Sequence, residues 1–170
     1  MTNNTVSLYY NAMNKTITCI LCSDNHGFEE PLIYLKKKYK DADYFLHCGD
    51  SQFPKAQMSG FATVEGNNDL YGEYPFFKVL KIGEHQIYLC HGHRDMMFGH
   101  YEMLANKAKQ YGCDIACCGH SHIPFAGVVN GVICLNPGSI WHNRDLSDPS
   151  YYVIQISGKD ITWKKHFYKL

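Results

Sequence analysis

The sequence has 170 residues, 45% of them hydrophobic, and its 16 Lys and Arg balance its 16 Asp and Glu at a formal charge of zero. This length suits one globular domain with a self-sufficient core, and the zero charge excludes bulk electrostatic binding to nucleic acid or anionic membranes. Since no apolar run approaches the ~20 residues of a membrane span or resembles a signal peptide, we expect no membrane partner and a cytoplasmic location.

The predicted elements begin after a polar, Asn-rich segment. Residues 1–14 lack periodicity and are predicted to be a loose tail, with Met13 as a second candidate start and the domain at 15–170. A buried strand is predicted at 16–22, then a helix at 28–40 that has Pro31 near its start and a basic end. Further strands are predicted at 43–48 and 61–65. This order favours parallel strands whose carboxyl ends share one edge.

The second half of the chain predicts hairpins around a helix. Strands at 76–82 and 86–90 are expected to pair, followed by a helix at 101–111 and a short buried strand at 114–118. Asn130-Gly131 is a strong hairpin signal between strands at 125–129 and 132–135. A last pair at 151–156 and 161–167 closes the chain. Because no repeat or linker interrupts this pattern, we expect a single domain.

The eight cysteines indicate a reducing compartment, since most lie in apolar runs where a thiol acts as a small hydrophobic group. A zinc site built from Cys19 and Cys22 with Cys113 or Cys117 is the alternative. Residues three apart in a strand point to opposite faces, so Cys19 and Cys22 are not expected to bind one metal. A disulfide framework is less expected still in a chain of this length.

Five segments place Asp, Asn or His directly after an apolar strand. Carboxyl ends of parallel strands meet where ligand crevices form, so we expect these side chains to converge. Imidazole with carboxylate suits a transition metal, and the neighbouring glycines permit tight turns. The segments are Asp24-Asn25-His26, Gly49-Asp50, Gly66-Asn67-Asn68-Asp69, His91-Gly92-His93 and Gly119-His120-Ser121-His122.

In this order and spacing, the five segments resemble the calcineurin-like metallophosphoesterase superfamily. The short chain and the Asn136-Pro137-Gly138-Ser139 segment are similar to its small YfcE-type phosphodiesterases. The resemblance covers residues 23–139 and implies an α/β fold, a four-layer αββα sandwich. Two mixed β-sheets would be flanked by helices in one domain without a cap.

The resemblance further implies two divalent metal ions per chain, with Mn²⁺ favoured and Ni²⁺, Co²⁺, Zn²⁺, Fe²⁺ or Mg²⁺ as alternatives. A metal-bridging hydroxide would attack the phosphorus of a small phosphodiester or nucleotide in line, without a covalent enzyme intermediate. Asp50 would bridge the two ions. The remaining ligands would be Asp24, His26 and His122 for the first ion, and Asn67, His91 and His120 for the second.

The sequence departs from the superfamily pattern at Asn68, where many members have a histidine that contacts substrate and could act as general acid. An amide cannot protonate a leaving group, so Asp69 or His93 would have to substitute, or the enzyme would prefer good leaving groups. Asp50, Asn67, Asn68, Asp69 and His93 are the expected catalytic residues. His142 and Arg144 are weaker candidates for phosphate contact.

Simpler structural interpretations stay open at this point. Asp50 could cap a helix near Phe53, and Asn68 and Asp69 could only form a turn. His47, His85, His100 and His166 match no motif and are expected to be packing or surface residues.

Two alternative functions also stay open. One is a protein-interaction scaffold of the same fold, as in a retromer subunit that has lost metal ligands, and the other is a phosphomonoesterase. One member of each aromatic pair, such as Tyr9-Tyr10, Phe76-Phe77 and Tyr151-Tyr152, is expected to be exposed. Exposed aromatic side chains can form subunit interfaces, so a homodimer is a further expectation.

Overall fold

The computed structural model describes residues 15–69, 72–96 and 99–169, so the predicted tail at 1–14, which includes Tyr9-Tyr10, lies outside the described residues. Each strand and helix predicted within that part is present, with ends shifted by a few residues. The helices are α1 (Glu30–Lys38) and α2 (Glu102–Gln110). The strands are β1 (Ile17–Cys22), β2 (Tyr44–His47), β3 (Ala62–Thr63), β4 (Phe77–Ile82), β5 (His85–Cys90), β6 (Ile115–Cys117), β7 (Phe125–Val129), β8 (Val132–Asn136), β9 (Ser150–Ser157) and β10 (Asp160–Phe167).

The strands form two mixed five-stranded sheets. In the first, the order is β10-β9-β1-β2-β3, with β1, β2 and β3 parallel and β9 antiparallel to β1. In the second, the order is β4-β5-β6-β8-β7, with β5, β6 and β8 parallel between antiparallel outer strands. Asn130 and Gly131 both have positive φ angles, of 49° and 79°, as the predicted β7–β8 turn requires.

Three apolar layers hold the two sheets and two helices together. Leu21 and Leu46 from the first sheet pack against Leu89 and Ile115 from the second. The outer face of the first sheet packs against α1, through residues such as Leu35, and the outer face of the second packs against α2. The resulting single-domain αββα sandwich confirms the fold expected from the resemblance.

The cysteines also follow the strand geometry. All eight are buried free thiols. Cys19 lies between the two sheets, whereas Cys22 faces α1 on the opposite side of β1. The alternation of side chains along a strand therefore separates this pair, and a zinc site that uses both thiols is excluded.

The aromatic pairs only partly follow the expected pattern. Phe76 is 46% exposed while its neighbour Phe77 packs against the α2 layer. The expectation was wrong for Tyr151 and Tyr152, which are both buried because α1 covers one face of β9 and the second sheet covers the other. The homodimer stays a prediction, which light scattering would check. Neither α1 nor α2 has the length and apolar character needed to cross a membrane.

Candidate metal centre

Loops from both sheets meet at one edge of the sandwich, where hydrogen bonds join them. The N–H of Asp24, after β1, donates to the carbonyl of Gly49, after β2, over 3.1 Å. The N–H of Gly119, after β6, donates to the carbonyl of His91, after β5, over 2.9 Å. Nδ1 of His91 donates to the carbonyl of Cys48 over 2.7 Å, which connects the two sheets. The predicted convergence thus involves the edges of two sheets.

Most of the predicted metal ligands have left-handed backbone conformations, which are unfavourable for residues with a Cβ atom. The φ angles are 57° at Asp24, 46° at His26, 55° at Asp50, 66° at His120 and 56° at His122. Such strain persists only where the surrounding structure fixes it, and it concentrates at functional sites. The loops therefore orient these side chains at some cost in local stability.

Two glycines allow the loops to approach this closely. A Cβ atom on Gly66 would overlap the backbone and carboxylate of Asp50. A Cβ atom on Gly119 would overlap Ser23 and come within 2.5 Å of Oδ2 of Asp24. At both positions a residue without a side chain is required by the carboxylate that lies against it.

A first cluster consists of Asp24, His26 and His122, whose ligand atoms lie within 4.8 Å of one another. Nε2 of His26 is 3.1 Å from Nε2 of His122. Oδ1 of Asp24 is 3.2 Å from Nε2 of His122 and 3.8 Å from Nε2 of His26. Asp24 is completely buried, whereas both imidazoles are partly exposed, so a bound ion would be reachable from solvent.

A second cluster consists of Asp24, Asp50 and His91, within the same 4.8 Å limit. Oδ2 of Asp50 is 3.4 Å from Nε2 of His91 and 3.8 Å from Nε2 of His26, so this oxygen lies near both clusters. Oδ1 of Asn67 is 3.0 Å from Nε2 of His91. Asp24 and Asp50 therefore both lie between the two groups of imidazoles.

His120 is the predicted ligand that belongs to neither cluster. Its ring centroid lies 5.1 Å from that of His91, and its backbone N–H donates to Oδ2 of Asp24 over 3.1 Å. The structure brings all seven predicted ligand residues to one edge of the sandwich. Their assignment as metal ligands stays a prediction.

The hydrogen-bonding pattern fits a cation. Because the Cys48 carbonyl can only accept, Nδ1 of His91 carries the proton, and the lone pair of Nε2 in the neutral ring faces Asn67 and Asp50. Oδ1 of Asp24 is buried without a hydrogen-bond partner among the residues that the structure describes. A shared proton could bridge only two of these acceptor atoms, whereas a metal ion could bind the lone pairs of several acceptors at once.

Ionisation favours the metal-binding form of the two carboxylates and of His120, whereas His91 favours its protonated form. Burial by itself would lower the pKa of His91, but its contact with Asp50 and the charge of Asp24 raise this pKa, so a metal ion would replace the proton on Nε2. Burial by itself would raise the pKa of Asp50, but the hydrogen bond and charge of His91 hold this pKa well below its usual range. Burial also opposes ionisation of Asp24, yet the His122 imidazole, 3.2 Å from Oδ1, and the charge of His91 lower its pKa. Burial, then the charge of His91, lowers the pKa of His120. Ionised carboxylates and neutral imidazole are the metal-binding forms.

Asn68 contacts the candidate bridging carboxylate directly. Its backbone N–H donates to Oδ1 of Asp50 over 2.8 Å, and its side-chain amide donates to Oδ2 over 2.7 Å. Two hydrogen bonds thus fix the orientation of the carboxylate. Residues 51–61 form turns, so Asp50 does not cap a helix near Phe53.

Asp69 lies where it can stabilise the loops. Its carboxylate accepts hydrogen bonds from the N–H groups of Asp50, Gln52 and Gly66, at 2.7 to 2.9 Å, and from the hydroxyl of Ser51 at 3.2 Å. These contacts favour a positioning role over the substrate contact that the sequence suggested. The catalytic role of Asp69 stays a prediction.

His93 lies at the side of the centre, partly buried. Its ring centroid is 5.3 Å from that of His91 and 6.0 Å from that of His120. Its Nε2 accepts a hydrogen bond from Nε of Arg94 over 3.1 Å. His93 is therefore adjacent to the candidate ligands without joining either cluster, and its proposed catalytic role stays a prediction.

The sequence did not indicate which residues form hydrogen bonds that stabilise the loops after β1 and β2. His47, expected to be an ordinary packing residue, accepts at Nδ1 from the N–H of Gly49 over 3.1 Å and donates from Nε2 to Asn25 over 2.9 Å. The hydroxyl of Ser139 donates to the carbonyl of Asp24 over 2.8 Å. For Ser139, its position after β8 in a segment that resembles the superfamily was the feature of the sequence that could have indicated a role at the site.

Comparisons with known proteins agree with this fold and identify its family. Residues 17–159 match the family described as "Calcineurin-like phosphoesterase superfamily domain". "Probable metallophosphoesterase YsnB" of Bacillus subtilis is 33% identical over 149 residues, which cover 84% of this chain and 86% of YsnB. The match extends beyond the five motifs to nearly the whole sandwich.

Solved structures give the same result for the fold. A Streptococcus pneumoniae protein described as a predicted phosphoesterase superposes with a TM-score of 0.82 and 28% identity, covering 89% of each chain. Vacuolar Protein Sorting 29 of Cryptosporidium parvum superposes with a TM-score of 0.73 over 90% of this chain and 99% of its own. Its 20% identity shows the shared fold alone.

The chain therefore belongs to the calcineurin-like phosphoesterase superfamily. Within it, the protein is a metal-dependent phosphoesterase, a hydrolase that acts on ester bonds, like the metallophosphoesterases it is similar to. The family implies divalent metal ions, and the Asp and His clusters at the sheet edges are residues that could bind them.

Proposed function

We propose that the protein binds two divalent metal ions, Mn²⁺ being the metal for first assays, and hydrolyses small phosphodiesters. The observation that carries this proposal is the pair of ligand clusters that share Asp24 and have Asp50 between them. The ions, when bound, would lower the pKa of the attacking water and offset negative charge at phosphorus.

The chain's own residues contribute orientation and charge balance. The backbone N–H and the side-chain amide of Asn68 hold the Asp50 carboxylate so that its Oδ2 atom faces both clusters. Asn67 offers a neutral oxygen, which limits the negative charge that an approaching phosphate meets. Both asparagines are exposed, so a small substrate can reach them from solvent.

The diester preference follows from the resemblance to small phosphodiesterases, and a phosphomonoesterase would use the same ligands. The scaffold alternative is less favoured, because a scaffold does not require strained loops that bring seven potential ligands together. A cytoplasmic location is proposed only from the reducing character of the sequence.

An activity screen of the Mn²⁺-loaded protein tests this function. The substrates are bis(p-nitrophenyl) phosphate, cyclic nucleotides and phosphomonoesters, and the variant is Asp50→Asn. We expect metal-dependent diester turnover that falls roughly 100-fold or more in Asp50→Asn, since the variant removes a charged ligand. Elemental analysis should find two ions per wild-type chain.

The matched control is Asp160→Asn, which removes the same charge from an exposed position at the opposite end of β9 and β10. This variant should keep wild-type turnover. Turnover that survives Asp50→Asn undiminished, or that does not depend on metal, would contradict the proposal.

A further inference from the structure

The chain has only two arginines, and both lie beside the candidate metal centre. Arg94 directly follows His93, and the backbone N–H of Arg144 donates to the carbonyl of His122 over 2.9 Å. In the part of the chain that the structure describes, neither guanidinium forms an ion pair with a carboxylate. Both side chains are exposed, so they can reach a ligand in solvent.

Arg94 has the better-defined position. Its Nε donates to Nε2 of His93 over 3.1 Å, and its guanidinium carbon lies 3.6 Å from the centroid of the Phe76 ring. Phe76 follows Pro75, whose carbonyl accepts a hydrogen bond of 2.9 Å from the N–H of Glu65. The contacts of Arg94 thus connect it to the loops that carry both His91 and Asn67.

These contacts use only part of the guanidinium. Of its five N–H groups, the one on Nε is bound to His93, and those on the two terminal nitrogens have no partner among the described residues. A planar guanidinium binds phosphate oxygens through two parallel hydrogen bonds and stays charged at any working pH. Stacking on Phe76 restricts its rotation, which reduces the entropy lost when a ligand binds.

We propose that Arg94 is a specificity-determining residue that binds a charged phosphoryl oxygen of the substrate beside Asn67 and His91. A phosphomonoester has one more charged oxygen than a phosphodiester. Arg94 therefore favours doubly charged phosphoryl groups over singly charged ones and sets how far the enzyme accepts monoesters. This inference rests on the proposed function, because it assumes that a phosphoester binds at the metal centre.

The test compares Arg94→Met, which keeps an unbranched apolar side chain and removes the charge, with wild type on two substrates. We expect kcat/KM for p-nitrophenyl phosphate to fall about 10- to 100-fold, as for a lost charge-assisted hydrogen bond. For bis(p-nitrophenyl) phosphate it should fall less than about threefold. Arg94→Lys, which keeps the charge without the fork, should retain part of the monoester activity.

The matched control is Lys159→Met, which removes an exposed positive charge at the turn between β9 and β10, far from the centre. It should leave both substrates unaffected. An equal loss on both esters in Arg94→Met would overturn the proposal, because a purely structural role does not distinguish substrate charge.

Binding of inorganic phosphate to the Mn²⁺-loaded protein, measured by isothermal titration calorimetry, gives a readout without turnover. The dissociation constant should rise about 10-fold in Arg94→Met and stay unchanged in Lys159→Met. Unchanged phosphate affinity in Arg94→Met would overturn the inference. If wild type cleaves neither ester while Arg94→Met weakens phosphate binding, the proposed function fails and the assignment of Arg94 as an anion-binding residue stands.

Discussion

Residues that are not themselves candidate metal ligands hold the ligand-bearing loops in place through hydrogen bonds. Asn68 fixes the Asp50 carboxylate, and His47 fixes Asn25, which lies between the candidate ligands Asp24 and His26. Such outer contacts orient metal ligands and commonly change metal affinity or activity when removed.

Asn68 should make the rate depend strongly on the leaving group. Its amide cannot give up a proton and is bound to Asp50, so this position supplies no general acid. We expect aryl phosphodiesters to be cleaved about 10²- to 10⁴-fold faster than alkyl ones, the usual contribution of a general acid. The measurement is kcat/KM over a series of esters of rising leaving-group pKa.

Asn68→His is the matched variant, and it should reduce that dependence. A flat dependence in wild type, with chemistry shown to limit the rate, would mean that another group, such as His93, protonates the leaving group.

His47 should make stability depend on pH. The ring is completely buried, and burial lowers the pKa of His47 to about 4. In the unfolded chain its pKa is about 6.5, so the unfolded state binds the extra proton between these values. Neutral His47 therefore makes its full contribution to the free energy of unfolding above about pH 6.5. This contribution is lost as the pH falls toward 4, by up to about 3 kcal/mol.

Urea unfolding of metal-free protein between about pH 7.5 and 4.5 measures this effect, because it spans the titration of the unfolded histidine. The His47→Asn variant cannot titrate, and its free energy of unfolding should fall less steeply over the same range. If the free energy of unfolding changes equally steeply with pH in the wild type and in His47→Asn, other groups cause the pH dependence.

At the scale of elements, the centre is built from strand ends and the loops that follow them. β1, β2 and β3 carry Asp24, Asp50 and Asn67 just beyond their carboxyl ends, and β5 and β6 do the same for His91 and His120. The strands are rigid and buried, so the tight loops at their ends determine where the side chains point.

Gly66→Ala tests this close approach of loops. The new Cβ atom would overlap the Asp50 backbone and carboxylate, so the loop must move. We expect the free energy of unfolding to fall by about 1–3 kcal/mol, the usual cost of overpacking. Mn²⁺ affinity should fall about 10-fold or more, because the movement displaces a ligand. Urea unfolding and calorimetry measure the two effects.

Gly127→Ala in β7 is the matched control, because its Cβ atom would meet only the Phe125 side chain, at 3.1 Å. It should leave Mn²⁺ affinity unchanged. Wild-type Mn²⁺ affinity in Gly66→Ala would show that Asp50 need not lie against Gly66.

At the scale of the whole molecule, the metal centre should connect the two sheets. Its candidate ligands come from β1 and β2 on one side and from β5 and β6 on the other. Ions bound only by the folded state stabilise it by mass action, by about 2.7 kcal/mol at a concentration 100 times the dissociation constant. Each bound ion would therefore stabilise the folded state in addition to the apolar packing between the sheets.

Removal of metal with a chelator should therefore lower the Tm by about 5–10 °C for a chain of this size, and added Mn²⁺ should restore it. Differential scanning calorimetry measures the shift. The Asp50→Asn variant should respond much less to the chelator. A wild-type Tm that does not change on chelation would mean that the ions contribute nothing to the stability of the folded chain.

The sequence alone predicted the strands, the helices and the five polar segments that follow strands, whereas the choice of seven metal ligands among those segments came from the family resemblance. These features depend on local information: apolar runs, turn residues such as Asn130-Gly131, and polar residues directly after strands. The presence of two sheets came from the family resemblance, because periodicity within single strands does not show which strands pair.

Only the tertiary structure decided what the remaining polar residues contact. Asn68 and Asp69 bind partners 17 to 19 residues away in the Asp50 loop, and Arg94 stacks on Phe76, which lies in the loop before β4. Tyr152 is buried because a second sheet covers its face of β9. Such contacts depend on how loops and sheets pack in three dimensions, whereas spacing along the chain determines only which residues follow each strand.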